Sequence, residues 1–187
     1  GDLRARLQAD GTTEQEVRRT LNGNAEFRFS DGAVKGVNVA QYLREAAARL
    51  RGQPVPAESG PNQTDFTELS GTLRIASGVA RNDDLAMRSP LLRVNGDGSA
   101  NLVSEQIDYR IRASLVGSLE GQGGADRDAL RGVTVPIRVG GSFDRPTYAL
   151  DVETLIAENL STRARERIEE RVLERAPQEL QQELRRG

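Results

Sequence analysis

Short runs in which apolar residues alternate with polar ones recur along most of this 187-residue chain, and arginine often takes the polar positions. Near the N-terminus, for example, Leu3, Ala5 and Leu7 alternate with Arg4 and Arg6. A period of two places successive side chains on opposite faces of a β-strand. The pattern therefore predicts an antiparallel sheet with one apolar face and one arginine-bearing face in water. The arginines at such positions are Arg4, Arg6, Arg28, Arg74, Arg110, Arg112 and Arg138.

Turn residues divide these runs into strands with short connections. A first strand is predicted over residues 3–10, and Ser30-Asp31-Gly32 predicts a turn from which residues 33–34 return as a brief strand. A further turn is predicted at residues 82–84, and a turn or bulge at residues 95–98, because Asn and Gly tolerate a positive φ. Such short spacings favour antiparallel neighbours over helical crossovers.

Three segments have the pattern of helices. Residues 13–22 begin with a capping box, residues 38–51 form a clear amphipathic helix, and residues 153–187 are a charged amphipathic helix. Residues 52–62 and 117–131 are rich in Gly, Pro or small polar residues and are predicted to be loops. The predicted fold class is α+β, a curved antiparallel β-sheet with one apolar face, two short-to-medium helices packed on it and a charged C-terminal helix.

Two domain units are predicted, a sheet domain over residues 1–152 and a helical extension over residues 153–187.

A helix is about 10 Å across and covers about two strands. A closed core results if all three helices dock on the sheet. If the last helix projects away, part of the apolar face forms a groove for acyl chains or another apolar ligand.

The residues expected to contact such a ligand share the apolar positions of the central strands. They are Leu73, Ile75, Leu92, Val94, Tyr109, Ile111, Val135, Ile137 and Val139. On the opposite face, Arg110, Arg112 and Arg138 would meet water or lipid headgroups.

The composition removes most catalytic chemistry. The sequence contains no His and no Cys, so it has no histidine-based triad, cysteine nucleophile, Cys/His zinc site or disulfide. Residues 95–98 lack the spacing of a calcium loop, and the glycines at 121–124 lack the Lys-Ser/Thr of a phosphate-binding loop. We therefore expect no enzyme, no cofactor and no metal site; an oxygen-ligand metal hydrolase is the weakest alternative. A net charge of −2 argues against nucleic acid as a partner.

Several short sequence segments resemble the C-terminal region of the AsmA family of Gram-negative envelope proteins, and they occur in the same order along the chain. Leu21-Asn22-Gly23 precedes residues 31–39, which read DGAVKGVNV and resemble a small strand leading into a helix. Residues 89–98, SPLLRVNGDG, resemble the family's most recognisable run. Val135-Pro136-Ile137 and Phe143-Asp144-Arg145-Pro146 resemble its closing hairpin.

This resemblance covers residues 3–152 and implies a periplasmic domain of a protein anchored in the inner membrane by an N-terminal helix. We expect the chain to be a segment of a longer protein, because it begins at Gly1, without Met, inside an alternating pattern. The family is linked to outer-membrane biogenesis, and its larger relatives look like bridge-like lipid-transfer proteins.

The function expected from the resemblance is phospholipid transport along an apolar β surface, in the service of outer-membrane assembly. The alternative is a non-catalytic interaction module that regulates assembly of outer-membrane proteins, with residues 153–187 as its docking element. The partners implied are a phospholipid or another apolar ligand, envelope proteins, and the membrane through the anchor.

Overall fold

A computed structural model of the chain describes residues 1–58, 60–116, 133–158 and 160. The strands are β1 (Asp2–Gln8), β2 (Asn22–Lys35), β3 (Gln63–Ala76), β4 (Val79–Arg88), β5 (Leu92–Asn101), β6 (Gln106–Leu115), β7 (Val135–Ser142) and β8 (Arg145–Leu150). The helices are α1 (Glu14–Thr20), α2 (Val39–Leu50) and α3, which begins at residue 152. All eight strands join one antiparallel sheet in chain order. The predicted α+β fold class is confirmed.

The starts of α1 and α2 follow from their capping residues. The Thr13 side chain accepts a hydrogen bond from the Glu16 amide, and the Glu16 side chain in turn accepts one from the Thr13 amide. The Asn38 side chain accepts a hydrogen bond from the Gln41 amide at 3.1 Å. These bonds satisfy amides that have no partner in the first helical turn, which is why both helices begin where the sequence predicts.

The turn predicted at Ser30-Asp31-Gly32 is wrong, because β2 continues through it to Lys35. Ser30 pairs with Glu68 and Gly32 with Phe66, while Asp31 between them adopts a φ of +51°. Aspartate tolerates this left-handed conformation, so the local signal produces an irregularity inside a long strand and not a reversal.

Two further turn signals also lie inside strands. Residues 82–84 form a bulge in β4, where the pairing with β5 shifts between Asn82 and Leu85. Residues 95–98 lie in β5 and pair with β6 without a shift. The bulge is thus in β4, on the strand that pairs with these glycines. Gly96 and Gly98 do not form a bulge themselves; their lack of a side chain leaves room for the ring of Tyr109.

The helices cover the sheet unevenly. Helix α2 contacts β3, β7 and β8. The side chain of Leu155, in the first turns of α3, is 0% exposed and joins the same buried cluster. That cluster comprises Val37, Val39, Leu43, Ala46, Ala47, Phe66, Met87, Leu92, Val94, Ala113, Val133, Val135, Ile137 and Leu155.

Helix α1 buries none of its residues. It lies at one end of the sheet, where the Gly78 amide donates to the Leu21 carbonyl at 3.0 Å and the Arg18 guanidinium donates to the Leu102 carbonyl at 3.0 Å. It therefore closes the turns at the end of the sheet and covers less of the apolar face than a docked helix would.

Two predicted segments lie outside the described residues. They are the loop at 117–131 and the part of the helical extension from 161 to 187. Within the described part of the chain, no helix has the length and apolar character needed to cross a membrane.

Candidate apolar and arginine faces

The strand register places all nine predicted contact residues on one face of the sheet. One row runs across six strands from Phe29 through Leu69, Met87, Val94 and Ala113 to Val135. A second row runs from Leu7 through Gly23, Ile75, Ala80 and Ala100 to Ile107. We call this side of the sheet the apolar face.

Five of the nine predicted contact residues are buried in the folded chain. They are Leu92, Val94, Val135, Ile137 and Val139. All but Val139 belong to the buried cluster that includes α2 and Leu155. An apolar ligand could reach these four side chains only if the helices moved, so their observed role is to hold the helices on the sheet.

The other four, Leu73, Ile75, Tyr109 and Ile111, are partly exposed. Tyr109 has a further role, since its hydroxyl donates to the side-chain oxygen of the buried Asn82. Burial of the phenol, with the nearby Asp97 and Asp84 carboxylates, raises the pKa of Tyr109 well above its usual value. The hydroxyl therefore stays protonated and able to donate at any ordinary pH.

The most exposed part of the apolar face lies on β1–β3, away from α2. Leu3 is 66% exposed, Leu7 51% and Phe29 39%. The rings of Phe27 and Phe29 stack with centroids 5.9 Å apart. We call this region the open patch; it consists of Leu3, Leu7, Phe27, Phe29, Leu73 and Ile75.

Sequence reasoning predicted two members of the open patch, Leu73 and Ile75, and missed the other four. The alternation of Leu3, Leu7, Phe27 and Phe29 places them on the apolar side as clearly as the central strands. What the alternation does not reveal is which strands a helix will cover. One sequence signal could have identified them. No strongly amphipathic helix adjoins β1 in the sequence, so no helix is expected to cover that strand.

The opposite side of the sheet, which we call the arginine face, carries the arginines predicted from the alternation and three more. The additional ones are Arg81, Arg88 and Arg93, each exposed and each next to at least one buried residue in the chain. Register places Arg74 directly opposite Arg81, Arg88 opposite Arg93, and Arg110 opposite Arg138.

Ion pairs neutralise part of the arginine face. Glu68 lies 3.6 Å from Arg28 and 3.4 Å from Arg88, and Arg112 lies 2.6 Å from Asp97. These pairs are largely in water, where each contributes about 0–1 kcal/mol.

A depression of about 590 Å³ lies across β1–β4 and carries both signs of charge. Arg4, Arg6 and Arg74 line it together with Asp83 and Asp84, among other residues. Burial alone would raise the pKa of Asp84, but hydrogen bonds from Thr72 and Asn82 outweigh it and hold that pKa below its usual value. The Thr72 amide and hydroxyl both donate to Asp84 at 2.8 Å, so this carboxylate is already engaged within the sheet.

No group of three or more acidic side chains is placed to hold a metal ion in the part of the chain that the structure describes. What the two faces offer chemically is contact: apolar surface on one side and guanidinium groups on the other.

Comparison with known proteins finds similarity to the AsmA family. The AsmA family model matches residues 1–85. Protein AsmA of Escherichia coli (strain K12) is 28% identical over 151 residues, which are 81% of this chain and 24% of that protein. The AsmA family protein YhjG of the same organism is 26% identical over 162 residues, 82% of this chain and 20% of that protein.

The chain thus spans a quarter or less of the length of these curated relatives. No solved structure matches it. The family model covers β1 to β3 and most of β4, and each relative aligns over about four fifths of the chain. The first 85 residues of the chain are thus similar to the AsmA family, and about four fifths of the chain align with these two proteins at 26–28% identity.

Proposed function

We propose that this chain is a non-catalytic domain of a cell-envelope protein, and that it contributes to outer-membrane assembly by offering phospholipid acyl chains an apolar β-sheet surface. The observation that carries the proposal is the open patch. Its side chains lie on three adjacent strands, on the same face as the buried cluster. The absence of His and Cys from the sequence supports a role without catalysis.

The chemistry of the open patch suits an acyl chain. Removing apolar surface from water contributes roughly 25 cal/mol per Å², and each buried methylene of a lipid roughly 0.8 kcal/mol. Leu3 and Leu7 are more than half exposed, and neither has a polar group that a lipid chain would desolvate. Burying several methylenes of an acyl chain along β1–β3 would therefore lower the free energy of the complex, with little desolvation of polar groups.

The test is to label the chain with a photoactivatable fatty acid or phospholipid and compare variants. Leu3→Gln with Leu7→Gln and Phe29→Gln should reduce crosslinking several-fold, because these substitutions remove apolar contact surface from the open patch. The fold should be kept, because the changed side chains are exposed and contribute little to the core. The matched control is Leu91→Gln with Phe143→Gln. Both side chains are 40% exposed but lie in turns.

Equal labelling of the two variants and the unaltered chain would contradict the proposal. So would labelling confined to the buried residues beneath α2, because that result would require the helix to leave the sheet. Circular dichroism of each variant shows whether the fold is kept.

We also propose that the domain lies in the periplasm and that an anchor elsewhere in the full-length protein holds it to the inner membrane. The resemblance to envelope proteins of Gram-negative bacteria supports this location. An alkaline phosphatase fusion to the C-terminus of the full-length protein should be active, since that enzyme needs an oxidising compartment. An inactive but intact fusion would contradict a periplasmic location.

A second candidate function is an interaction module that regulates assembly of outer-membrane proteins. One observation favours it: on α3, Ile156 is 48% exposed and Leu160 62%, at the spacing that places two side chains on one side of a helix. Ile156→Gln with Leu160→Gln should reduce capture of an envelope protein in the periplasm but leave lipid labelling unchanged. Reduced lipid labelling with unchanged capture would favour transport alone.

A further inference from the structure

Three pairs of arginines lie directly opposite one another on the arginine face. They are Arg74 with Arg81, Arg88 with Arg93, and Arg110 with Arg138. Residues paired across an antiparallel ladder have Cβ atoms about 4.5–5.5 Å apart, and like charges at that separation destabilise the sheet. Repetition of this arrangement on a single face points to a use outside the folding of the isolated chain.

The partners available within the fold neutralise one member of each pair: Arg74 is paired with Asp83, Arg88 with Glu68 and Arg138 with Asp151. Within the described ranges, the side chains of Arg4, Arg6, Arg81 and Arg110 make no hydrogen bond or ion pair with another residue. All four are exposed. Their guanidinium donors are therefore directed only to solvent, although arginine is suited to bind phosphate through two parallel hydrogen bonds.

Two of these groups, Arg6 and Arg81, lie in one row across the face, with Arg74 between them. Arg6 pairs in register with Asn24, Asn24 with Arg74, and Arg74 with Arg81. Across these four strands the row is roughly 14 Å long. Asp83 is paired with Arg74, and Glu26 and Asp84 lie nearby. Together with the adjacent Arg4, the arginines of this row outnumber these three carboxylates by one.

We propose that the arginine face docks on the surface of an anionic phospholipid membrane. The positive groups of the face are spread over several strands, as binding to a layer of phosphate headgroups requires. Specific protein partners usually need a buried aromatic or apolar anchor, and single-stranded nucleic acid needs aromatic rings for stacking. The polar side chains between these arginines include Asn24, Thr72 and Ser99, which supply neither.

This docking differs from the proposed function in both surface and chemistry. The open patch would meet acyl chains through Leu and Phe side chains, whereas the arginine face would meet headgroups through guanidinium groups on the other side of the sheet. Either contact can fail while the other holds, because different residues carry them. The chain as a whole is negative, with a net charge of −2, so any attraction to an anionic membrane must come from a local surface.

The test is co-sedimentation of the full chain with vesicles. One set contains phosphatidylglycerol and phosphatidylethanolamine, and the other phosphatidylcholine alone. The chain should bind the anionic vesicles and lose that binding as salt is raised, because salt screens the attraction. Arg6→Gln with Arg81→Gln should weaken binding roughly ten- to thirty-fold, given the usual contribution of each arginine near such a surface. Neither substitution breaks a bond within the described fold.

The control is Arg19→Gln with Arg49→Gln, which removes the same charge from exposed positions on α1 and α2 and also removes the ion pair of Arg49 with Glu45. It should bind the anionic vesicles as the unaltered chain does. Equal weakening in both variants, equal binding to neutral vesicles, or tighter binding to polyglutamate or DNA than to the vesicles would overturn the proposal. If vesicle binding is lost only in the variant with Leu3→Gln, Leu7→Gln and Phe29→Gln, the docking proposal is overturned. The proposed contact of the open patch with acyl chains would still stand.

Discussion

At the scale of single residues, Gly78 fixes where α1 lies. Its φ is +75°, and a Cβ built on it would lie 2.2 Å from the Arg18 carbonyl oxygen. The backbone of the β3–β4 turn and the backbone of α1 thus approach each other at a point where only glycine fits. This contact holds the helix at the end of the sheet without burying any of its side chains.

Gly78→Ala should therefore cost more than backbone strain alone. Gly36 is the matched comparison, because its φ is +88° but no atom lies within 4 Å of a Cβ built there. Gly36→Ala should lower the free energy of unfolding by about 1–2 kcal/mol, the cost of a left-handed alanine. Gly78→Ala should cost about 1–3 kcal/mol more, since α1 must move away.

Urea denaturation of the two variants measures this difference. Equal losses would show that α1 is not held by the close approach at Gly78. A loss confined to Gly78→Ala would instead show that positive φ is cheap in this fold.

At the scale of elements, the first turns of α3 belong to the core of the sheet. Leu155 is 0% exposed and Ile156, its neighbour, is 48% exposed. Leu155→Ala should lower the free energy of unfolding by about 2–5 kcal/mol, the usual range for a fully buried leucine. Ile156→Ala should change it by less than about 0.5 kcal/mol.

Thermal unfolding of both variants checks this assignment. Similar melting temperatures would mean that α3 does not pack on the sheet in solution. A truncation meant to remove the charged extension should accordingly end beyond residue 160, because a cut at residue 152 also deletes Leu155.

Asp151 links the start of α3 to the sheet and makes that link sensitive to pH. Its carboxylate accepts hydrogen bonds from the Thr154 amide at 3.2 Å and from Arg138 Nε at 2.8 Å. Burial would raise the pKa of Asp151, but the bonds from Thr154 and Arg138 outweigh burial and lower it. A carboxyl whose pKa is lower in the folded chain stabilises it above its unfolded pKa, near 4. That contribution disappears as the pH falls through the folded value.

Asp151→Asn should keep the helix cap, since asparagine caps as well as aspartate, but lose the charge. At neutral pH the variant should be less stable by about 1 kcal/mol, a modest value because Arg138 is largely exposed. The difference should shrink as the pH falls below about 4. Urea denaturation over a pH series measures it, and a difference that grows on acidification would contradict the assignment.

Local signals predicted the existence of each element better than they predicted where a strand turns. Thr13 and Asn38 place helix starts correctly because a capping bond is complete within three residues. Asp31 and the Asn82–Asp84 segment have turn chemistry but lie inside strands, because neighbouring strands supply ladder bonds that hold the chain extended. Pairing with a distant segment is invisible in a short window of sequence.

The sequence predicted which face of the sheet carries the candidate site, but it did not predict which part of that face is exposed. Alternation alone placed Leu73, Ile137 and Arg138 on the correct sides of the sheet. It could not separate Ile137, beneath the helices, from Leu3, in water, because that distinction depends on where α2 and α3 dock. Docking depends on loops and long-range packing, which leave no periodic pattern in the strands.

At the scale of the whole molecule, apolar packing is concentrated at one side of the sheet. Strands β5–β7 contribute Val94, Ala113 and Ile137 to the buried cluster, whereas every residue of β1 is exposed. Strand β1 is also an edge strand that bonds only to β2, whereas β6 and β7 are bonded on both sides. Fewer ladder bonds and less burial therefore both lower the local stability of β1.

Hydrogen exchange should therefore show a gradient across the sheet. Amides of β6 and β7 should exchange only on global unfolding, and amides of β1 should exchange through local opening at rates several orders of magnitude faster. Because the open patch is also the proposed contact for acyl chains, adding a short-chain phospholipid should slow exchange in β1 and β2 while leaving β6 and β7 unchanged. Uniform protection without lipid would contradict the uneven packing. Slowing that is confined to β6 and β7 would instead place the ligand beneath α2, in the part of the apolar face that the helices cover.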